Sequence, residues 1–349
     1  MATVSLCMIV KNEEHVLKRC LDSFKAVADE IVIVDTGSTD STKEIAAAYT
    51  DKVYDFKWVD DFSEARNFAF SKTSMEYIYS ADADEVLDEE NAKKFLALKE
   101  ALMPEVEIVQ MLYVNRHAYR TTENFEKDLR PKLYKRVRSF TWIDPVHETV
   151  RLDPVVFDSD IEILHLPEEH HHKRDFGIFR KMIAASEEGK SLSKKMHHMY
   201  AQELMLSGDK MDFADAAPYF ERAFCESDPD PDQDMRTECC CILARNAANA
   251  GRTDEFFKWC LKNVSIEPCS EICMELGHHY FDLGDYEEAS VWFLNAAQET
   301  KPALKADAGG KDAYDMLAHV YEKIAGEHPD IKEQALQMAI EYKRLTCMS

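Results

Sequence analysis

The chain has 349 residues, 46% of them hydrophobic, and its 66 acidic against 42 basic residues give a formal charge of −24. This length and composition indicate a globular protein with a sizeable core and, by length alone, two domains, while the negative charge argues against a nucleic-acid partner. No run approaches the ~20 apolar residues that span a bilayer, and the first residues lack a signal-peptide pattern, so we expect a cytoplasmic protein with no transmembrane segment.

Short β-rich runs alternate with amphipathic segments up to about residue 167. The apolar, β-branched or aromatic runs that predict strands are residues 4–10, 31–34, 53–56, 77–81 and 105–114. This alternation of strands and helices predicts an α/β fold with a mainly parallel sheet covered on both faces. Such sheets bind ligands at the carboxyl ends of their strands.

Helices are predicted between these strands. One buried helical stripe is indicated by apolar residues at three- and four-residue spacing, namely Leu17, Cys20, Leu21, Phe24 and Ala28. Ser41, followed three residues later by Glu44, has the form of a capping box and predicts the start of the next helix. Ser63 is expected to cap a third helix, which carries Arg66.

Only helices are predicted after about residue 190. Residues 273–302 match the 34-residue tetratricopeptide pattern, with Gly277, Ala289 and Phe293 in register, and looser copies precede them. The predicted domains are therefore 1–175 and an all-α repeat domain, 176–349. Stacked helical hairpins present an extended concave surface, so we favour peptide or protein binding over purely structural support.

Two aspartates, Asp82 and Asp84, stand directly after the strand predicted at 77–81. Carboxylates at i and i+2 just past a strand can both reach a hard divalent cation that also takes oxygens from a diphosphate. Alternatively, Asp84 and Glu85 start a turn or cap the helix that begins near Asp88. The first interpretation gains support from polar segments at two other strand ends, 10–14 and 35–42, which would open into the same crevice.

Two further side chains have competing interpretations. Asp35 either holds a base or sugar hydroxyl or forms an Asx-turn into Gly37, and its place at a strand end favours the former. Arg66 either points toward a phosphate or lies exposed on its helix, and spacing does not decide between them.

The combination of SLCMIVKNEE, EIVIVDTGSTDSTKEIA, WVDDFSEARN and SADADE resembles family 2 glycosyltransferases of the GT-A fold. The resemblance is to the bacterial subgroup with tetratricopeptide repeats after the catalytic domain, which includes the sublancin-type peptide S-glycosyltransferases. It covers roughly residues 4–167 by motif, and the repeats extend it. One departure is Thr36, where many family members have a second Asp.

The resemblance implies a nucleotide-sugar site. Its residues would be Ile9, Lys11 and Glu13 at the nucleotide, Asp35 at the uracil or ribose, Arg66 at the pyrophosphate, Asp82 at the ribose or metal, and Asp84 at Mn²⁺ or Mg²⁺.

Three later segments, 130–136, 142–148 and 162–168, also resemble the family. Arg130 would assist Arg66 at the diphosphate. Glu148 falls near the family's general base, which is needed because an acceptor is a poor nucleophile until it loses a proton, and His147 and Asp144 are the other candidates. His165 lies in an apolar strand, where a core histidine is the usual explanation, and the resemblance favours a metal or diphosphate ligand.

The implied function is metal-dependent, inverting transfer of a sugar from a nucleotide-diphosphate donor, expected to be a UDP-sugar. The acceptor would be a Cys, Ser or Thr side chain of a peptide or protein held by the repeats. The alternatives are a transferase of cell-surface polysaccharide or glycolipid assembly and a non-catalytic repeat scaffold. The residues do not decide the oligomeric state, and a homodimer remains open.

Overall fold

The computed structural model describes residues 1–115, 127–136, 142–143, 149–150, 154–166, 172–185, 192–228 and 232–348. The described residues belong to two compact units, and the second begins with a helix at His172. Within these ranges, every helix is too short or too polar to cross a membrane.

The first unit is built on a sheet. Its strands are β1 (Val4–Val10), β2 (Glu30–Asp35), β3 (Val53–Asp55), β4 (Tyr77–Ala81), β5 (Glu85–Val86), β6 (Ile108–Asn115), β7 (Lys127–Lys135), the short pair β8 (Trp142–Ile143) and β9 (Thr149–Val150), and β10 (Val156–His165). Its helices are α1 (Leu17–Phe24), α2 (Thr42–Ala47), α3 (Phe62–Ser71) and α4 (Glu89–Ala101).

Eight of the described strands form one sheet in the order β3-β2-β1-β4-β7-β6-β10-β5. Strands β1 to β4 run parallel to one another, and β6 is parallel to β10. Strand β7 is antiparallel to both β4 and β6, and β5 is antiparallel to β10. The apolar runs of β1, β2 and β4 are almost entirely buried, as expected of strands covered on both faces. The α/β prediction with a mainly parallel sheet is confirmed.

The end of α1 and the caps of α2 and α3 differ from the sequence predictions. Helix α1 ends at Phe24, so Val27 is buried beyond it and Ala28 only half-buried. Ser41 is the N-cap residue of α2, so the predicted helix start is confirmed. Its side chain makes no capping hydrogen bond, because its backbone (φ −80°, ψ 11°) is not extended, and the capping-box prediction is wrong. Helix α3 is capped by Asp61, whose carboxylate accepts hydrogen bonds from the backbone of Ser63 and Glu64, and not by Ser63.

The second unit consists of helices in its described part. They are α5 (His172–Ala185), α6 (Lys194–Ser207), α7 (Lys210–Glu226), α8 (Gln233–Asn249), α9 (Thr253–Ile266), α10 (Ser270–Leu283), α11 (Tyr286–Gln298), α12 (Lys311–Glu327) and α13 (Lys332–Met348). The predicted repeat 273–302 covers the hairpin α10–α11, with Ala289 and Phe293 buried. This matches the predicted helical hairpin.

Gly277 allows the close approach of the two helices in that hairpin. A Cβ at this position would lie 2.5 Å from a ring carbon of Phe293. We expect Gly277→Ala to lower the free energy of unfolding by ~1–3 kcal/mol, because the Phe293 ring has to move within a packed core. The exposed Gly326 of α12, where a Cβ would meet nothing within 4 Å, provides the control Gly326→Ala. Denaturant titration followed by circular dichroism measures both, and equal stability of the two variants would contradict this packing argument.

Candidate functional site

The strand order places the switch point of the sheet, where a ligand crevice is expected, at the carboxyl ends of β1 and β4. These two strands are adjacent and parallel, while β2 and β3 continue the sheet on the other side of β1. A switch of this kind in strand order separates the loops that follow neighbouring strands, and ligands of open α/β sheets bind in the resulting gap.

Side-chain hydrogen bonds join the loops after β1 and β2. Asn12, which has a φ of 56°, accepts a hydrogen bond on Oδ1 from the Thr39 backbone at 2.8 Å, and its own backbone donates to Ser38 Oγ at 2.9 Å. The Glu13 backbone donates to Thr42 Oγ1 at 2.7 Å. These contacts make one wall of the crevice from the two loops. Of the predicted nucleotide residues on this wall, Lys11 is exposed and Ile9 and Glu13 are half-buried.

Asp35 is buried at the end of β2. Its Oδ2 accepts hydrogen bonds from the backbone of Gly37 and Ser38, both at 3.0 Å, so the Asx-turn considered from the sequence is present. Its Oδ1 is also buried and has no hydrogen-bond partner among the described residues. Because a buried carboxylate oxygen without a partner is costly, this atom is suited to a donor on a ligand. The two interpretations therefore do not exclude each other.

Asp82 lies between two cations. Arg66 donates from Nη2 to Asp82 Oδ1 at 3.2 Å and from Nη1 to Ser80 Oγ at 2.7 Å, so Arg66 points to the crevice and not to solvent. On the other side, Lys132 Nζ lies 3.5 Å from Asp82 Oδ2. Burial opposes ionisation of Asp82, but the charges of Lys132 and Arg66 outweigh it and hold the pKa of Asp82 below its usual range.

A fully buried carboxylate, that of Glu85, lies near Asp82. Glu85 has no exposed surface, pairs with Lys132, and accepts a hydrogen bond from the Tyr79 hydroxyl at 3.0 Å. Burial raises the pKa of Glu85, and the neighbouring carboxylates of Asp82 and Asp84 act in the same direction. The pKa of Lys132 is raised by Glu85 and Asp82 against the opposing effect of burial, so this lysine stays charged.

Asp84 faces His165 across the β5–β10 pair. Asp84 Oδ2 lies 3.0 Å from His165 Nε2, and Asp84 Oδ1 is buried with no hydrogen-bond partner among the described residues. The His165 ring is 28% exposed and packs against Tyr113, with ring centroids 5.0 Å apart, so it is not enclosed in the core. The alternative role of Asp84 as a helix cap does not apply, because Asp88 caps α4.

A carboxylate oxygen without a partner beside an imidazole is a donor set that fits Mn²⁺ or Mg²⁺. Asp82 does not converge on the same point, because its two oxygens face Arg66 and Lys132. Among the described residues, Asp82, Asp84 and His165 do not form a three-ligand cluster. The structure thus brings Asp84 and His165 together and gives Asp82 a different environment.

Of the remaining predicted residues, the structure describes Arg130 but not the three candidate bases. Arg130, on β7, places its guanidinium carbon 4.2 Å from the centroid of the Tyr113 ring. Its Nη2 lies 3.8 Å from Asp128 Oδ2. The three candidate bases, Asp144, His147 and Glu148, lie outside the described residues.

Sequence reasoning missed Lys132 and the buried position of Glu85. The available signal was the i, i+2 spacing of Arg130 and Lys132, which puts two cations on one face of the strand.

Comparison with known proteins gives the family. The model of "Glycosyl transferase family 2" matches residues 5–150. An uncharacterized glycosyltransferase of Rickettsia felis is 30% identical over 216 residues, covering 56% of this chain and 72% of that protein.

Two other relatives match over shorter segments. The glycosyltransferase SunS of Bacillus subtilis is 36% identical over 102 residues, 29% of this chain and 24% of SunS. The lipopolysaccharide core biosynthesis glycosyltransferase LpsC of Rhizobium meliloti is 35% identical over 107 residues, 30% of this chain and 36% of LpsC. The match thus spans about a quarter of SunS and about a third of LpsC. With the family model and the Rickettsia felis relative in agreement, the chain belongs to glycosyltransferase family 2.

Proposed function

We propose that the chain is a metal-dependent, inverting glycosyltransferase that moves a sugar from a nucleotide-diphosphate donor to a peptide or protein side chain. The observation that carries this proposal is Asp84 Oδ1, a buried carboxylate oxygen that has no partner among the described residues and lies at the switch point of the sheet. Burying such an atom without a hydrogen bond costs roughly 1–3 kcal/mol, which a bound ligand would offset.

Asp84 and His165 would hold the divalent cation, Mn²⁺ or Mg²⁺. The cation, when bound, would neutralise charge on the leaving diphosphate. Arg66 supports the same end of the donor, since its guanidinium is fixed by Ser80 and Asp82 at the edge of the crevice. Arg130 is the second cation proposed for the diphosphate.

The nucleotide would lie along the wall formed by the loops after β1 and β2. Asp35 Oδ1 can accept a hydrogen bond from a base N–H or a ribose hydroxyl without disturbing the turn that Oδ2 stabilises. Asp82 would contact the ribose, and Ile9, Lys11 and Glu13 would line the nucleotide. The expected donor is a UDP-sugar.

Transfer with inversion requires one displacement and one base. Glu148 is the proposed base, with His147 and Asp144 as the other candidates, and it would take the proton of the acceptor while that group attacks the anomeric carbon. We place the donor site in residues 1–175 and acceptor binding in residues 176–349, whose helical hairpins suit an extended chain. The acceptor atom would belong to Cys, Ser or Thr.

A second candidate function is transfer to a cell-surface polysaccharide or glycolipid. The similarity to LpsC favours it, because that relative is named for lipopolysaccharide core biosynthesis. The repeats would then bind a protein assembly and not the acceptor.

Mass spectrometry separates these two functions. The full chain is incubated with Mn²⁺, a panel of UDP- and GDP-sugars, and peptides that contain Cys, Ser or Thr. We expect one peptide class to gain the mass of one sugar, and a chelator to prevent this gain. Peptides whose Cys is alkylated identify the acceptor atom. Sugar incorporation only into added lipid or oligosaccharide acceptors would favour the second function.

A further inference from the structure

Lys132 is a buried lysine for which the proposed reaction has no direct use. Its side chain is 8% exposed, on the central part of β7, and its ammonium group pairs with the fully buried Glu85. The same ammonium lies 3.5 Å from Asp82 Oδ2 and 4.9 Å from the centroid of the Tyr113 ring. The Lys132 ammonium therefore links the buried Glu85 carboxylate to the Asp82 carboxylate at the crevice.

The two contacts of Asp82 come from different elements. Arg66 of α3 holds Oδ1, and Lys132 of β7 holds Oδ2. A carboxylate held at both oxygens has a fixed rotation about its terminal bond, whereas a carboxylate held at one oxygen can turn. The Asp82 side chain is 41% exposed, and each of its oxygens can accept a second hydrogen bond, so a ligand donor can still reach the carboxylate.

We infer that Lys132 is a positioning residue for the nucleotide donor: tethered by Glu85, it fixes the orientation of Asp82 toward the ligand. This inference rests on the proposed function, because it takes Asp82 as a contact of the donor. Lys132 itself does not touch the donor in this arrangement. Its loss would weaken donor binding more than it would slow the chemical step.

A purely structural role for Lys132 makes a different prediction. In that case Lys132 serves only to neutralise Glu85, and removal of both charges together would restore a normal site. Breaking one partner of a buried pair is strongly destabilising, so the single variant Lys132→Met confounds the two roles. The informative comparison is between Glu85→Gln, whose amide oxygen still accepts a hydrogen bond from Lys132 and so keeps the tether, and the double variant Glu85→Gln with Lys132→Met, in which only Lys132 differs.

Calorimetric titration of the full chain with UDP, GDP and dTDP in the presence of Mn²⁺ provides the measurement. The nucleotide that the wild-type chain binds then becomes the probe for the variants. From Glu85→Gln to the double variant, we expect the Kd for that nucleotide to rise roughly 10- to 100-fold, because a misplaced positioning group costs this much. The donor KM for acceptor-independent hydrolysis should rise in parallel, with kcat changing less.

The matched control is Lys99→Met. Lys99 is also buried, and its ammonium donates to the Asp29 carboxylate and to the Val27 carbonyl, both at 2.7 Å. These acceptors lie on the loop that precedes β2, whereas Asp35 lies at the other end of β2. This variant should lower the unfolding midpoint and leave the nucleotide Kd unchanged, which separates lost stability from lost positioning.

Equal nucleotide affinity of Glu85→Gln and the double variant would overturn the inference and leave the proposed function standing. Failure of the wild-type chain to bind any of the nucleotides would overturn the proposed function, and the inference with it. If the double variant does not fold, Lys132→Arg replaces it, since Arg keeps a cation beside Glu85 but presents a planar head of different shape. Wild-type affinity in folded Lys132→Arg would then count against the inference.

Discussion

Asp84→Ala is expected to reduce metal-dependent donor turnover by roughly a thousandfold while the chain stays folded. The reason is that Asp84 supplies a carboxylate oxygen that has no partner in the described part of the chain, and its other oxygen lies 3.0 Å from His165, so its removal leaves one of the two proposed ligands. Release of nucleoside diphosphate measures turnover, and circular dichroism verifies the fold.

Asp88→Ala is the matched control for this prediction. Asp88 is four residues further along the chain and caps α4 through a hydrogen bond from the Asn91 backbone. Its loss should lower stability by about 1 kcal/mol without affecting turnover. If folded Asp84→Ala retained wild-type turnover, the assignment of Asp84 as metal ligand would be wrong.

Glu148→Gln should lower kcat by roughly 100- to 10,000-fold and leave the donor KM nearly unchanged. A general base acts on the acceptor in the transition state, so its loss affects the chemical step and not donor binding. His147→Asn and Asp144→Asn complete the comparison, and the variant with the largest loss of kcat identifies the base. Wild-type kcat in all three variants would show that none of these residues is the base.

The sequence was a good guide to the strands beside the proposed donor site. Residues 4–10 and 77–81 were predicted as strands, and β1 and β4 have these bounds. These strands are nearly continuous apolar runs that end abruptly in polar residues, and this contrast is local in the sequence. The same contrast placed Asp35, Asp82 and Asp84 at strand ends.

Contacts between distant elements could not be predicted in the same way. The link from Lys132 to Asp82 and Glu85 depends on β7 pairing with β4, and the sequence separation of Lys132 and Asp82 is 50 residues. The pairing of His165 with Asp84 depends on β10 lying beside the two-residue strand β5. No local pattern indicates such pairings.

The capping errors have a local cause. Ser41 and Ser63 have the expected residue type, but Asp40 and Asp61, which lie one and two residues earlier, provide the carboxylates that bond to the first backbone N–H groups. Asp and Ser are nearly equivalent as caps, so the sequence does not choose between neighbours of these types. The backbone conformation of the loop decides which of these residues caps the helix.

Release of nucleoside diphosphate by the wild-type chain is the decisive measurement of metal-dependent donor turnover. A panel of UDP- and GDP-sugars is supplied without an acceptor, in the presence of Mn²⁺ or of a chelator. We expect slow release from one donor, abolished by the chelator and by Asp84→Ala. Release unaffected by the chelator would contradict the metal-dependent mechanism, and absence of both release and calorimetric donor binding would contradict the assignment of a nucleotide-sugar site.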